Sequence, residues 1–209
     1  MKSYGQLCAV ARALDVVGDR WTLLIVRELL ISGPLRFTEL QRGLPGVPPT
    51  LLTQRLRDLE QHDVVHRVPG VRYRLTERGE QLEGVLRELL RWGAPTVPDA
   101  PADAEFQTHW LSLPARYLAR DGDPAGPDVT VRFGSPADGF DLTASAGVVT
   151  VAPSRPDETP DATVDGPGPV LVGLLQGTLD LTRAVAAGVT VHGSEDALRR
   201  IVPTVRVGE

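Results

Sequence analysis

Cysteine is almost absent from this sequence of 209 residues, which contains Cys8 alone. A single cysteine excludes an intramolecular disulfide and suits a reducing compartment. The sequence also lacks a cluster of cysteine and histidine residues with the spacing of a structural zinc site. We therefore expect a cytoplasmic protein that folds without a disulfide and without a bound metal.

Long apolar runs are absent as well. No run approaches the roughly 18 apolar residues that a membrane-spanning helix needs. The first ten residues lack the apolar core of a signal peptide. We expect neither export nor a membrane partner.

The motifs of common enzyme classes are missing too. The sequence has no Gly-x-Ser-x-Gly elbow, no phosphate-binding loop and no dinucleotide fingerprint. His109 and His192 lie far apart in the sequence, and neither belongs to a metal-ligand motif. We expect no enzymatic activity and no cofactor.

Charge is divided unevenly between the two halves of the chain. Residues 1–95 contain 14 Arg and Lys against 11 Asp and Glu, a net charge of +3. Residues 96–209 contain 8 against 16, a net charge of −8. The overall charge of −5 therefore does not argue against DNA binding by the first half, because the acidic residues are concentrated in the second.

A segment rich in proline and alanine separates the two halves. Residues 93–104 contain three prolines and almost no large apolar side chain. Each proline removes a backbone donor and restricts the residue before it, so a helix cannot continue through the segment. We predict one domain over residues 1–95, a linker over residues 96–105 and a second domain over residues 106–209.

The first half has the pattern of four helices, a hairpin and a further helix. Apolar residues recur at helical spacing in each helical segment. Asp19 is placed to cap the second helix and Thr76 to cap the last. Two β-rich runs, 64–68 and 71–75, flank a two-residue turn and predict a short hairpin. This order of elements is the layout of a winged helix-turn-helix, an α+β fold.

The fourth helix and the hairpin carry the residues that we expect to bind DNA. Leu52, Leu56 and Leu59 have core-facing spacing, so polar side chains on the opposite side can bind base edges or phosphates. A polar helix face of this kind usually contacts only solvent. The wing that directly follows it in the sequence favours a role in DNA binding. Arginines on the second wing strand should share one face and follow the phosphate backbone or enter the minor groove. The candidate DNA-binding residues are Thr50, Thr53, Gln54, Arg55 (at the helix flank, toward a phosphate), Arg57, Arg67, Arg72 and Arg74.

Several motifs of this half resemble those of HxlR-type regulators. They include Cys8-Ala-Val10, Gly18-Asp-Arg-Trp-Thr-Leu-Leu-Ile25, Gly33-Pro-Leu-Arg-Phe-Thr-Glu-Leu40, Leu51-Leu-Thr-Gln-Arg-Leu-Arg-Asp-Leu-Glu60 and Tyr73-Arg-Leu-Thr76. The resemblance covers about residues 5–95. It implies a bacterial transcription regulator that binds double-stranded DNA at an inverted-repeat operator. It also implies a homodimer whose interface is formed by the first and last helices of this half.

The resemblance also makes Cys8 a candidate redox residue. In some HxlR-like regulators the N-terminal cysteine senses oxidants or electrophiles. Such a role requires a nearby cation that favours the thiolate, and Arg12 lies one helical turn along. The alternative is an inert, half-buried thiol.

The second half alternates between strand and helix patterns. Helical segments are predicted at 106–118, in two pieces around Pro114, and at 170–175, 179–186 and 195–202. Strands are predicted at 129–133, 140–143, 148–151, 161–164 and 189–192. The pattern indicates an α+β domain with a mostly antiparallel sheet and packed helices.

Part of the second half, about residues 125–205, resembles sterol-carrier-protein-like domains. The resemblance rests on runs such as Val131-Arg-Phe133, Phe140-Asp-Leu142 and Gly188-Val-Thr-Val-His-Gly193. It implies an apolar tunnel for a lipid or another small hydrophobic ligand, although the same side chains can instead fill a solid core. The candidate ligand-binding residues are Val131, Phe133, Leu142, Leu171, Leu174, Leu175 and Leu179.

Together these features predict a sequence-specific DNA-binding regulator that a small hydrophobic ligand modulates through the second domain. In the alternative, the second domain is a carrier of lipids or other hydrophobic ligands, and the helix-turn-helix mediates protein contacts. The steep salt dependence of phosphate contacts distinguishes the two functions.

Overall fold

The computed structural model describes residues 3–101 and 103–201. The chain divides into two compact units, Met1–Val97 and Pro98–Glu209. Within the described residues, no helix is both long enough and apolar enough to cross a membrane. Each unit has its own sheet and its own buried core.

The first unit begins with a succession of helices around a common core. The helices are α1 (Ala9–Val17), α2 (Thr22–Ser32), α3 (Phe37–Gly43) and α4 (Pro49–Gln61). Pro49 is the first residue of α4, where a missing backbone N–H costs little. Leu52, Leu56 and Leu59 of α4 are buried, as their spacing predicts.

The wing is a sheet of three strands rather than an isolated hairpin. β1 (Leu35–Arg36), β2 (Val65–Val68) and β3 (Arg72–Leu75) pair antiparallel in the order β1-β3-β2. The predicted hairpin is present, but its turn has three residues, because Val68 pairs directly with Arg72. Gly70 and Val71 have positive φ angles of 83° and 56°, so Val71 belongs to the turn and not to the strand.

The last helix of the first unit is interrupted after one turn. Thr76 caps α5 (Glu77–Glu80), and its hydroxyl accepts a hydrogen bond of 3.0 Å from the backbone N–H of Gly79. The prediction for Thr76 is therefore confirmed. The chain resumes as α6 (Glu83–Gly93), and Ala94–Asp99 then form a short 3-10 helix. The prolines thus end the α-helix, but part of the predicted linker keeps a tighter helical geometry.

The second unit contains a mixed sheet of five strands in the order β6-β5-β4-β7-β8. β4 and β7 are parallel, whereas each of the other neighbouring pairs is antiparallel. The strands are β4 (Val129–Phe133), β5 (Phe140–Ser145), β6 (Val148–Pro153), β7 (Ala162–Asp165) and β8 (Thr190–Gly193). All lie within two residues of the predicted segments.

In the described part of this unit, four α-helices accompany the sheet: α7 (Ser112–Leu118), α8 (Gly168–Leu175), α9 (Leu181–Ala186) and α10 (Glu195–Ile201). A 3-10 helix over Thr108–Leu111 precedes α7. The predicted break at Pro114 lies instead at Ser112, because a proline is tolerated in the first turn of a helix. The last helix is predicted to reach Val202, which lies outside the described residues.

A charged pair is buried at the centre of the second sheet. Arg132 of β4 and Asp141 of β5 are directly opposite one another. The Arg132 guanidinium donates to both Asp141 carboxylate oxygens, at 2.7 and 2.8 Å. It also donates to the backbone carbonyls of Arg155 and Glu158, at 2.9 and 3.1 Å. The pair therefore ties the loop after β6 to the middle of the sheet.

Candidate nucleic-acid interface

The solvent-facing side of α4 presents polar side chains opposite the buried leucines. Thr50, Gln54 and Arg57 are exposed, and Thr53 is half-buried. Positions 50, 53, 54 and 57 fall on one side of a helix. The Arg57 guanidinium makes neither a hydrogen bond nor an ion pair with any of the described residues. Arg57 is therefore available to an external acceptor, such as a guanine edge or a phosphate.

Two of the candidate residues on α4 already make local hydrogen bonds. The Thr53 hydroxyl donates to the Pro49 carbonyl at 2.9 Å. The Gln54 side-chain amide donates to an Asp58 carboxylate oxygen at 2.9 Å. Both side chains keep an acceptor oxygen for an external donor. A bidentate contact between Gln54 and adenine also needs one N–H of the amide. The amide nitrogen carries two, and Asp58 accepts only one of them, so the hydrogen bond to Asp58 does not exclude this contact.

Arg55 faces the protein rather than the solvent. Its Nη1 atom pairs with the carboxylates of Asp19 and Asp58, the latter at 3.3 Å. The phosphate contact predicted for Arg55 does not fit this placement, because the guanidinium is already paired with two carboxylates of its own unit. The prediction that Asp19 caps α2 is wrong for a related reason. Trp21 is the residue before α2, and the Asp19 carboxylate is used by Arg55.

Arg72 and Arg74 share one face of the wing sheet, as strand alternation predicts. Arg36 of β1 lies opposite Arg72, and His66 of β2 lies opposite Arg74. We call these four residues the basic wing face. Arg36, His66 and Arg74 are exposed, and Arg72 is half-buried. Sequence reasoning missed Arg36 and His66, because a strand of two residues has no detectable alternation and the partner of His66 depends on the turn length.

Arg67 lies on the other face of the sheet. It is opposite Tyr73, and its guanidinium lies over the Tyr73 ring, 5.3 Å from the centroid. It also donates to a Glu60 carboxylate oxygen at 2.9 Å. Arg67 is therefore separated from the other wing arginines and already has an acidic partner.

Apolar side chains remain exposed on α1 and α6. The segment before α1 and α1 itself expose Leu7, Val10 and Leu14, while α6 exposes Val85, Leu89 and Trp92. Leu86, which has similar helical spacing on α6, is instead buried within the unit. In a single copy of the first unit, the exposed apolar side chains of these two segments remain in contact with water.

Cys8 is exposed at the start of α1. The predicted cation, Arg12, is ion-paired with Asp15 at 3.3 Å, which partly offsets its charge. Among the described residues, no group of three or more His, Cys, Asp or Glu side chains is placed to hold a metal ion.

Most of the candidate ligand-binding residues are buried in the core of the second unit. Leu179 differs, because it is half-buried and lies against Gly173. The buried residues pack with Phe140, whose ring stacks on that of Phe133 with centroids 5.3 Å apart. The buried candidates are Val131, Phe133, Leu142, Leu171, Leu174 and Leu175.

A family model described as HxlR-like helix-turn-helix matches residues 16–100. The uncharacterized HTH-type transcriptional regulator YtcD of Bacillus subtilis is 39% identical over 92 residues, which are 41% of this chain and 72% of that protein. The uncharacterized HTH-type transcriptional regulator Rv3095 of Mycobacterium tuberculosis is 43% identical over 96 residues, which are 43% of this chain and 60% of that protein.

Solved structures of regulators are similar over the same share of the chain. The crystal structure of YtcD has 36% sequence identity and a TM-score of 0.41, covering 44% of this chain and 99% of that one. The quinone-bound structure of YodB from B. subtilis has 36% identity and a TM-score of 0.39, covering 43% of this chain and 99% of that one.

Proposed function

Because the chain belongs to the HxlR-like helix-turn-helix family of bacterial DNA-binding transcriptional regulators, we propose that residues 1–95 bind one specific duplex sequence through α4 and the wing. The observation that carries this proposal is the exposed face of α4. There Arg57 is exposed on the side opposite the buried leucines, and it has no partner among the described residues. A base read by Arg57 and phosphates held by the wing would together give specificity and affinity.

We further propose that the protein acts as a homodimer on an inverted-repeat operator. The exposed apolar side chains of α1 and α6 support this, because a second copy would remove them from water. A two-fold axis would then present two α4 helices to half-sites about one DNA turn apart.

The second unit is proposed as a regulatory domain over residues 106–209, joined to the first by the linker at 96–105. Its acidic charge disfavours contact with phosphates. A small hydrophobic ligand would enter between the sheet and α8. Since six of the seven candidate residues are buried against each other, the ligand would have to open this core. The relatives described above are regulators, and no observation favours the carrier alternative.

Selection of bound fragments from random duplex DNA, followed by gel-shift titration at several salt concentrations, tests the DNA-binding proposal. We expect one enriched inverted repeat and a linear fall of log affinity with log salt. An absence of enrichment, or an affinity that does not change with salt, would contradict the proposal.

Thermal unfolding of the full chain with a panel of hydrophobic compounds tests the ligand proposal separately. A ligand that binds only the folded protein raises the melting temperature. By linkage, the same compound must also change the operator affinity. If no compound produces either effect, the second unit has no role as a ligand sensor.

A further inference from the structure

Two arginines are directly opposed on neighbouring strands of the wing. Arg36 of β1 pairs in register with Arg72 of β3. Directly opposed residues in an antiparallel sheet have Cβ atoms about 4.5–5.5 Å apart, and like charges at that separation destabilise the sheet. A negative charge close to both guanidinium groups would offset this repulsion.

The described residues do not provide that negative charge. Neither Arg36 nor Arg72 forms an ion pair with any of them. The Arg72 Nη1 atom donates to the backbone carbonyl of Pro34 at 3.4 Å, which directs its side chain toward β1. Glu39 is the nearest acid along the chain, but its carboxylate accepts from the Arg36 backbone N–H at 2.7 Å. That hydrogen bond ties the Glu39 carboxylate to the Arg36 backbone, and within the described residues no ion pair joins this carboxylate to the Arg36 guanidinium.

We infer that Arg36 and Arg72 together bind one phosphate of the DNA backbone as a two-arginine clamp, an inference that rests on the proposed DNA binding. A phosphate between two guanidinium groups offsets their repulsion and accepts charge-assisted hydrogen bonds from both. Arg36 thereby becomes a DNA contact contributed by the strand that leads into α3, rather than by α4 or by the hairpin.

The rest of the basic wing face indicates a polyanion rather than a small isolated anion. Arg74 lies two residues beyond Arg72 on the same face of β3, about 7 Å further along. It makes no hydrogen bond or ion pair with any described residue. A row of unpaired cations along one strand matches a chain of successive phosphates, so duplex DNA is the occupant that fits.

The test measures operator affinity against salt for the full chain and for Arg36→Gln, Arg72→Gln and the double variant. Loss of one phosphate contact lowers the slope of log affinity against log salt by about 1. Because the clamp holds one phosphate, we expect the slope of the double variant to be lower than that of wild type by about 1 in total and not by about 2. Arg183→Gln, on α9 of the second unit and paired with Asp180 at 3.6 Å, is the matched control and should leave the slope unchanged.

A second measurement separates the clamp from a merely structural role. Without DNA and at low salt, Arg36→Gln should melt at the same temperature as wild type or higher, because the substitution removes a repulsion. Arg36→Lys should keep most of the salt slope.

Three outcomes would overturn the inference. If Arg36→Gln binds with unchanged affinity and slope while wild type binds well, the clamp is wrong and the proposed function stands. If the decrease in salt slope of the double variant equals the sum of the decreases of the two single variants, the arginines bind separate phosphates and the shared clamp is wrong. If wild type binds no duplex, the proposed function fails and the clamp fails with it.

Discussion

Arg55 of α4 donates from Nη1 to the carboxylate of Asp19, and this contact joins the helix that we propose to bind DNA to the turn between α1 and α2. The same Nη1 atom lies 3.3 Å from an Asp58 carboxylate oxygen. Asp19 follows α1, the helix that carries much of the exposed apolar surface. The orientation of α4 is therefore linked to the element that we propose for dimerisation.

Arg55→Gln is expected to lower the free energy of unfolding by about 1 kcal/mol, because it breaks a charged pair that is only partly shielded from water. It should leave the salt slope of DNA binding unchanged, since Arg55 does not face solvent. Chemical denaturation and salt titration measure the two effects. Arg87→Gln, whose exposed pair with Glu88 contributes little, is the control. A slope lowered by 1 at unchanged stability would instead support the phosphate contact predicted from the sequence.

Arg57→Ala is expected to weaken binding to the selected operator by about 1–3 kcal/mol and to relax the preference at one base pair. The reason is that Arg57 is exposed on α4 and has no partner within the part of the chain that the structure describes, so its donors are available to a base edge. Binding to a panel of single-base operator variants measures the effect. Equal weakening across the whole panel would show that Arg57 contacts phosphate and does not read a base.

Sequence patterns predicted the features that depend on neighbouring residues. The core-facing leucines of α4 follow from helical periodicity, and the Thr76 cap follows from a hydroxyl placed three residues before Gly79. The strands of the second sheet are predictable for the same reason, because alternation and turn residues are local signals.

Features that depend on distant partners were not predictable in this way. Arg55 and Asp19 are 36 residues apart, and no local rule connects them. Val71 adopts a positive φ that a β-branched residue disfavours, because the hairpin geometry imposes it. Leu86 has the same spacing as its neighbours on α6, and spacing alone does not tell whether its own unit or a second copy covers it.

Val10→Glu is expected to convert the proposed dimer to a monomer at micromolar concentration, because it places a charge in the apolar surface that a second copy would cover. Val10 is 67% exposed, so the substitution should not disturb the core. Light scattering measures the mass. Val148→Glu is the matched control, since Val148 is 60% exposed but lies on β6 of the second unit. A wild-type monomer with intact operator binding would contradict the dimer proposal.

Asp121 should make the second unit sensitive to acid. The Arg200 guanidinium holds the pKa of the Asp121 carboxyl well below its ordinary value, and the Asp123 and Gly147 backbone N–H groups add to the effect. A carboxylate with a lowered pKa in the folded state stabilises the fold above the unfolded pKa of about 4. This contribution is lost as the pH falls further toward the folded pKa.

We therefore expect Asp121→Asn to melt at a lower temperature than wild type at pH 7. Between pH 5 and pH 2.5, its melting temperature should fall by less than that of wild type. Thermal unfolding across that range provides the measurement. Asp157→Asn is the control, because Asp157 is exposed and makes no hydrogen bond or ion pair with any described residue. If the melting temperatures of Asp121→Asn and wild type change with pH in the same way, the ion pair with Arg200 does not contribute to the acid sensitivity.

Asp141→Asn is expected to be the most destabilising of these substitutions, at about 3–5 kcal/mol, because it leaves the Arg132 charge buried without its counterion. Denaturant unfolding of the full chain, followed by a signal from the second unit, measures the loss. Glu158→Gln is the control, since Glu158 pairs with Arg155 on the surface and should contribute less than about 1 kcal/mol. Replacing both Arg132 and Asp141 by leucine should recover only part of the loss, because the Arg155 and Glu158 carbonyls would then lack their donor. Full recovery in the double variant would show that the loop after β6 does not depend on Arg132.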